Sequence, residues 1–125
     1  MIVDYKAMGK RNRAAGARFE AKVRKDLEKQ GWIVARWTNN VKDNKLVPAM
    51  STIFRSNTHG FPDFIAFKPR QGLIAGVECK SNGYLKKEEK AKCNFLLFEG
   101  IFHKLIIASK GKKRGSIDYN VYNKI

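Results

Sequence analysis

GFPDFIAF (60–67), KPRQG (68–72) and LIAGVECK (73–80) form the stretch that decides the fold of this chain. Two short apolar runs flank a turn-like segment, the pattern of a β-hairpin. A four-residue loop, PRQG (69–72), pairs Lys68 with Leu73. Counting back in that register sets Asp63 opposite Glu78. Directly opposed residues of an antiparallel pair point to the same face, with Cβ atoms about 5 Å apart. Lys80 lies two residues beyond Glu78 and shares that face. Opposed carboxylates repel, and burying either one costs several kcal/mol (roughly) or forces protonation. A divalent cation removes the conflict. Mg²⁺ takes oxygen ligands, keeps several waters, and typically uses one or two protein carboxylates plus a phosphate. The plainer alternative makes Glu78 and Lys80 ordinary partners at a strand end, with Asp63 simply following the turn residue Pro62.

Working outward, residues 1–9 read as a flexible N-terminus and Lys10–Gln30 as a helix. Gly16, Glu20, Val23 and Leu27 fall on one stripe. Ala14, Ala15, Gly16 and Ala17 are small enough to let that helix approach a sheet closely. Glu20 is then an acid in an apolar stripe: either a third carboxylate reaching the site, or a boundary residue paired with Arg24. Gly31 supplies a helix stop. Trp32–Thr38 reads as a strand with its tryptophans in the core, and 39–60 as one long functional loop. Phe61–Phe67 and Leu73–Lys80 are the hairpin strands. Ser81, Asn82 and Gly83 break the second and offer a cap. Leu85–Phe98 is helical, with Glu88, Ala91, Phe95 and Phe98 on one face. Lys104–Ser109 is a buried strand, Gly111–Gly115 a basic turn, and Tyr119–Tyr122 an edge strand. The expectation is one α/β domain over residues 1–125. It has an αβββαβ(β) core, with helices flanking a central mixed sheet. Phe95–Phe98 with Gly100–Phe102 carries more apolar surface than one helix face needs. It reads as a homodimer interface, or else as core.

The chain has 26 Lys and Arg against 11 Asp and Glu, a net charge of +15 and a pI near 10.1. Such an excess points to nucleic acid or an anionic membrane as partner. Hydrophobic residues make up 43%, too many for a disordered basic tail. No apolar run approaches the ~18 residues of a membrane span, and the N-terminus lacks a secretory h-region. Cys79 and Cys93 have no metal-type spacing, so the expected setting is a reduced cytoplasm with no membrane partner. Basic residues cluster at Lys10, Arg11, Arg13 and Arg18, at Arg55, and at Lys110, Lys112, Lys113 and Arg114. The first cluster abuts Glu20 and is the favoured DNA contact. His59 and Phe54 sit in the long loop, and His103 reads as structural.

GARFEAKVRKDLEKQGWIVAR (16–36), GFPDFIAF (60–67), IAGVECKS (74–81) and LKKEEKAKCNFL (85–96) together resemble the PD-(D/E)XK nuclease superfamily. More narrowly, they are similar to archaeal-type Holliday junction resolvases, over roughly residues 10–110. The resemblance implies a restriction-endonuclease-like fold and Mg²⁺, with Mn²⁺ able to substitute. Glu20, Asp63, Glu78 and the Cys79 backbone carbonyl would bind the ion. Lys80 would orient or help deprotonate the attacking water and offset phosphate charge. Ser56, with Ser51 behind it, is the nearest match to a serine that resolvases carry before the Pro-Asp pair. Lys90 stands where the second helix usually presents a glutamine, and could contact phosphate. The implied partner is DNA, as four-way junctions cut by a homodimer. Less selective nucleases of the same fold, from repair, restriction or virus-type replication–repair modules, share the core motif. The rival class is a non-catalytic basic DNA-binding protein.

Overall fold

Asp4 opens the first helix: its carboxylate accepts the Ala7 N–H at 3.0 Å and caps α1, Tyr5–Lys29. Here and below the structure is a computed structural model that describes residues 4–49 and 60–123. The helix therefore begins about one turn before the expected start, and residues 5–9 belong to it. Gly31, at φ +93°, provides the left-handed turn that ends it. Then follow β1 (Ile33–Arg36), β2 (Asn39–Lys42), β3 (Lys45–Pro48), β4 (Phe64–Lys68), β5 (Leu73–Cys79), α2 (Lys87–Phe98), β6 (Lys104–Lys110) and β7 (Ile117–Val121).

The β4–β5 hairpin has the expected register, with Lys68 opposite Leu73 and Phe64 opposite Val77. It lies in a five-stranded sheet of order β1-β4-β5-β6-β7. The β5–β6 pair is parallel, joined through α2, while the other neighbours are antiparallel. The described residues thus form a single small α/β domain with a mixed central sheet and two helices. Segment 39–48 departs from the expected loop. It folds into a two-stranded hairpin, β2–β3, whose turn residues Asp43 and Asn44 both take positive φ. That is the tight-turn geometry which Asp and Asn tolerate. Residues 50–59, including Ser51, Phe54, Arg55, Ser56 and His59, lie outside the described residues.

Two apolar clusters cover the sheet. On one face, Phe19, Val23 and Leu27 of α1 pack on Val34, Phe64, Ala66, Ala75, Val77, Ile106 and Ala108. On the other, Cys93 and Leu96 of α2 join Val41, Phe61, Phe102 and Leu105. Coverage on both faces accounts for the unbroken apolar runs of β5 and β6. The buried stripe of α1 is Phe19–Val23–Leu27, not the Gly16–Glu20 edge. Lys10 through Arg18 are all exposed, so Ala14–Ala17 do not bring the helix onto the sheet. On α2 the inward residues are Cys93 and Leu96, whereas Phe98 is 81% exposed. Ser81–Gly83 form a local turn, with Asn82 Oδ1 accepting the Tyr84 N–H, and Lys86 is the α2 cap residue. Trp37 sits edge-on to Phe102 in the second cluster, and Trp32 packs partly on the first. His103 is structural, as expected: its Nδ1 accepts the Ile74 N–H at 2.9 Å.

Gly76 has a packing reason. A Cβ there would stand 2.6 Å from Leu105 Cδ2 and 2.8 Å from Pro62 Cγ, inside the buried core. At Gly16, on the exposed part of α1, a Cβ meets nothing within 4 Å. The two alanine substitutions should therefore have opposite signs in urea denaturation. Gly76→Ala is expected to lose about 1–3 kcal/mol through overpacking. Gly16→Ala should gain roughly 0.5–1 kcal/mol from reduced chain entropy in a helix interior.

Candidate functional site

The functional side chains gather where the β4–β5 ladder ends. Asp63 immediately precedes β4, and its Oδ2 accepts the Cys79 N–H at 2.9 Å. Its own carbonyl accepts the Trp37 N–H at 3.1 Å. Asp63 is thereby tied both to the end of β5 and to the chain leaving β1. The register continues past Phe64–Val77, so Asp63 lies across from Glu78, as the hairpin spacing predicts.

Glu78 is the deepest member, 6% exposed at the end of β5. Among the described residues, its Oε1 is buried without a hydrogen-bond partner. Burial, then the charge of Asp63 and hydrogen bonding to it, pushes the Glu78 carboxyl up to about 10; Lys80 opposes this only partly. Val77 lies in the cluster under α1, so the alternation of β5 turns Glu78 toward the α2 face. Lys80 is there too, with its Nζ 3.8 Å from Glu78 Oε2 and 2.5 Å from Glu89 Oε2. Partial burial alone would lower the Lys80 pKa. Glu89, Glu78 and Asp63 outweigh it, and the amine is held above its ordinary value, as an ammonium.

Glu89 is an unpredicted member. Its Oε1 accepts the Lys86 N–H at 2.8 Å, capping α2, while Oε2 holds Lys80. Burial acts to raise its pKa, but the Lys80 hydrogen bond and the Lys86 N–H more than offset this, and the net shift is downward. Arg36 is the second unpredicted member. Its Nη2 lies 3.7 Å from Glu20 Oε2, and its guanidinium stands 5.5 Å over the Phe64 ring. The available signal was positional: Arg36 lies two residues after the buried Val34, a charge on the core-facing side of a strand. For Glu89, the signal was an acid at the third position of a helix, where capping-box acids sit.

Glu20 does reach this edge, from the α1 side. Its partner is Arg36 rather than Arg24, which pairs instead with Glu28. Burial, then the Asp63 charge, raises its pKa, with Arg36 opposing. Glu20 and Glu78 thus approach Asp63 from opposite faces of the sheet. Among the described residues, no three His, Cys, Asp or Glu side chains are gathered closely enough to hold a metal ion. Asp63 nonetheless couples to a carboxylate on either side, Glu20 and Glu78, and the more buried of these has an oxygen with no partner among the described residues, a donor set whose chemistry fits a hard cation. Cys79 contributes its N–H to Asp63, and burial raises its thiol pKa.

The predicted basic residues divide. Lys10, Arg11 and Arg13 are exposed on the early turns of α1. Arg18, Lys113 and Arg114 border a cavity between α1 and the β6–β7 turn, with Lys112 exposed in the same turn. Lys90 is exposed on α2, its carbonyl accepting the Tyr122 hydroxyl. No helix among the described residues is long and apolar enough to cross a membrane. No protein-family model, curated protein or solved structure matches the chain.

The carboxylate crowding has a pH signature in the metal-free protein. A group whose folded pKa is raised stabilises the fold fully below its unfolded value and loses that contribution as pH rises toward the folded value. With EDTA present, the urea midpoint should fall between about pH 6 and about pH 9. Glu78→Gln should remove most of that fall; an unchanged slope would show that Glu78 is not the group responsible.

Proposed function

We propose that this protein is a Mg²⁺-dependent endodeoxyribonuclease of restriction-endonuclease-like fold. The observation that carries this reading is the buried Glu78. It has an oxygen with no partner among the described residues, beside Asp63 and an ammonium-bearing Lys80, at one edge of the sheet in a chain of net charge +15. An antiparallel hairpin feeding a helical crossover to a parallel strand, with α1 across one face, supports the fold assignment.

Asp63, Glu78, Glu20 and the Cys79 carbonyl are the groups that would hold the ion. When bound, Mg²⁺ would supply Lewis-acid activation of the scissile phosphate and the attacking water. Lys80, kept protonated, serves as an orienting donor and a counter-charge to the phosphate rather than as a base. Glu89 positions Lys80 from the capped start of α2. Arg36 restrains Glu20 and adds positive charge on the opposite side. Four-way junctions are the substrate to which the sequence resemblance points. A homodimer would present two such sites about a two-fold axis, suited to paired incisions.

Wild-type protein and the Asp63→Ala and Glu78→Ala variants should be incubated with four-way junction, linear duplex, flap and single-stranded DNA, in Mg²⁺ and in EDTA. The expected result is Mg²⁺-dependent cleavage that falls by at least about a hundredfold in both variants, the order seen when a preorganised electrostatic group is removed. Their DNA binding should persist. Symmetric nicks in the junction alone support a resolvase, and cleavage of every substrate supports a less selective nuclease. Binding without cleavage by the wild type, unchanged in Asp63→Ala, would sink the enzymatic reading.

A further inference from the structure

A cavity of about 360 Å³ lies on the other side of α1 from the Arg36 contact. Arg18 and Lys22 line it from the helix, Lys110 from the end of β6, and Lys113, Arg114 and Ser116 from the β6–β7 turn. Among the described residues no acidic side chain lines it, and the carboxylate of Asp118 lies beside it, 3.2 Å from where a Cβ on Gly111 would stand. Among the described residues, none of the five cations is in an ion pair. The turn is held in shape by its own bonds. Gly111 N–H donates to the Ser116 carbonyl at 2.9 Å, and the Ser116 hydroxyl donates to the Lys113 carbonyl at 2.7 Å. Gly115, at φ +85°, brings the turn close to Lys22, whose Nζ would be 3.6 Å from a Cβ at that position. Two basic segments roughly ninety residues apart in sequence thus face each other across one opening.

Five like charges around one cavity repel, and an anion relieves them. The five are exposed and drawn from a helix, the end of a strand and a turn. A small-molecule pocket is mostly apolar, with a few convergent polar groups, and encloses its ligand. Exposed Lys and Arg side chains that follow a surface instead suit the phosphates of a polymer backbone. The position is also informative. Lys80 N–H donates to the Ala108 carbonyl and Lys110 N–H to the Ser81 carbonyl, so the β5–β6 pairing continues past Cys79. Lys80 and Lys110 therefore leave neighbouring strands, about 4.8 Å apart, at the same end of the sheet, Lys80 toward the α2 face and Lys110, in step with Ile106 and Ala108, toward the α1 face. On α1, Arg18 and Lys22 flank Glu20 in sequence and project from the other side of the helix.

We infer that this cavity seats a backbone phosphate of nucleic acid beside the carboxylate edge, so that one strand passes both places. The inference rests on the nucleic-acid part of the proposed function and not on its metal chemistry. Its test is fluorescence anisotropy of a labelled DNA duplex over a range of salt concentrations, with circular dichroism to confirm folding. Arg18→Ala/Lys113→Ala should weaken binding about tenfold near 0.1 M salt and lower the slope of log K against log salt by about one to two. Arg18→Lys/Lys113→Arg should keep the wild-type slope. Lys29→Ala/Arg70→Gly removes the same charge from the far end of the sheet and should change affinity by less than about twofold. If the cavity variant behaves like that control while the wild type binds DNA, the cavity assignment is overturned and the nucleic-acid reading stands. If the wild type binds only anionic phospholipid vesicles and no DNA, both fall.

Discussion

The Asp63 carboxylate accepting the Cys79 N–H is the interaction on which the rest of the site depends. It takes a backbone donor at the point where the β4–β5 ladder stops, and so closes the end of the hairpin. The same residue's carbonyl receives Trp37, fastening the chain that leaves β1. One aspartate therefore joins both outer neighbours of β4 at a single edge. Burial first, and then its negative charge, keeps Glu78 and Glu20 reluctant to ionise. The residue that organises the edge thus also adds to the electrostatic conflict within it.

The ion pairs around that edge are not equal. Lys80 and Glu89 are close, and Glu89 is further fixed by capping α2, so this pair orients the amine firmly. Arg36 and Glu20 are 3.7 Å apart, and the arginine side chain is 40% exposed. Pairs of that kind contribute only about 0–1 kcal/mol, so either member can be redirected toward a substrate charge at little cost. The buried Oε1 of Glu78 has no such alternative. The edge thus combines one rigid cation, one yielding pair and one unsatisfied acid, against a background of unpaired surface cations.

Local patterns were readable where a short period governed them. The hairpin register, the order of the five central strands along the chain and the apolar runs of β5 and β6 all follow from spacing within a few residues. Segment 39–48 shows little period because its strands are only four residues each. Their turn, Asp43–Asn44, lacks the glycine that usually marks such a hairpin. The helix face of α1 was misjudged by one position. Gly16 and Glu20 share a stripe with Val23 and Leu27 on paper, but Phe19 takes the core and the run of small residues stays in solvent. Phe98 shows the same effect on α2, where Cys93 and Leu96 take the inward positions.

The sequence by itself determined that Asp63 stands across from Glu78 and that Lys80 follows on the same side, because a two-residue period and a four-residue loop are local constraints. It also determined the surplus of positive charge. Tertiary structure alone decided that Glu20 meets Arg36 rather than Arg24, that Glu89 holds Lys80, and that Arg18 faces the Lys113–Arg114 turn. Those pairings depend on how two helices lie across a sheet. That placement is set by side-chain packing among residues tens of positions apart, to which no local period refers.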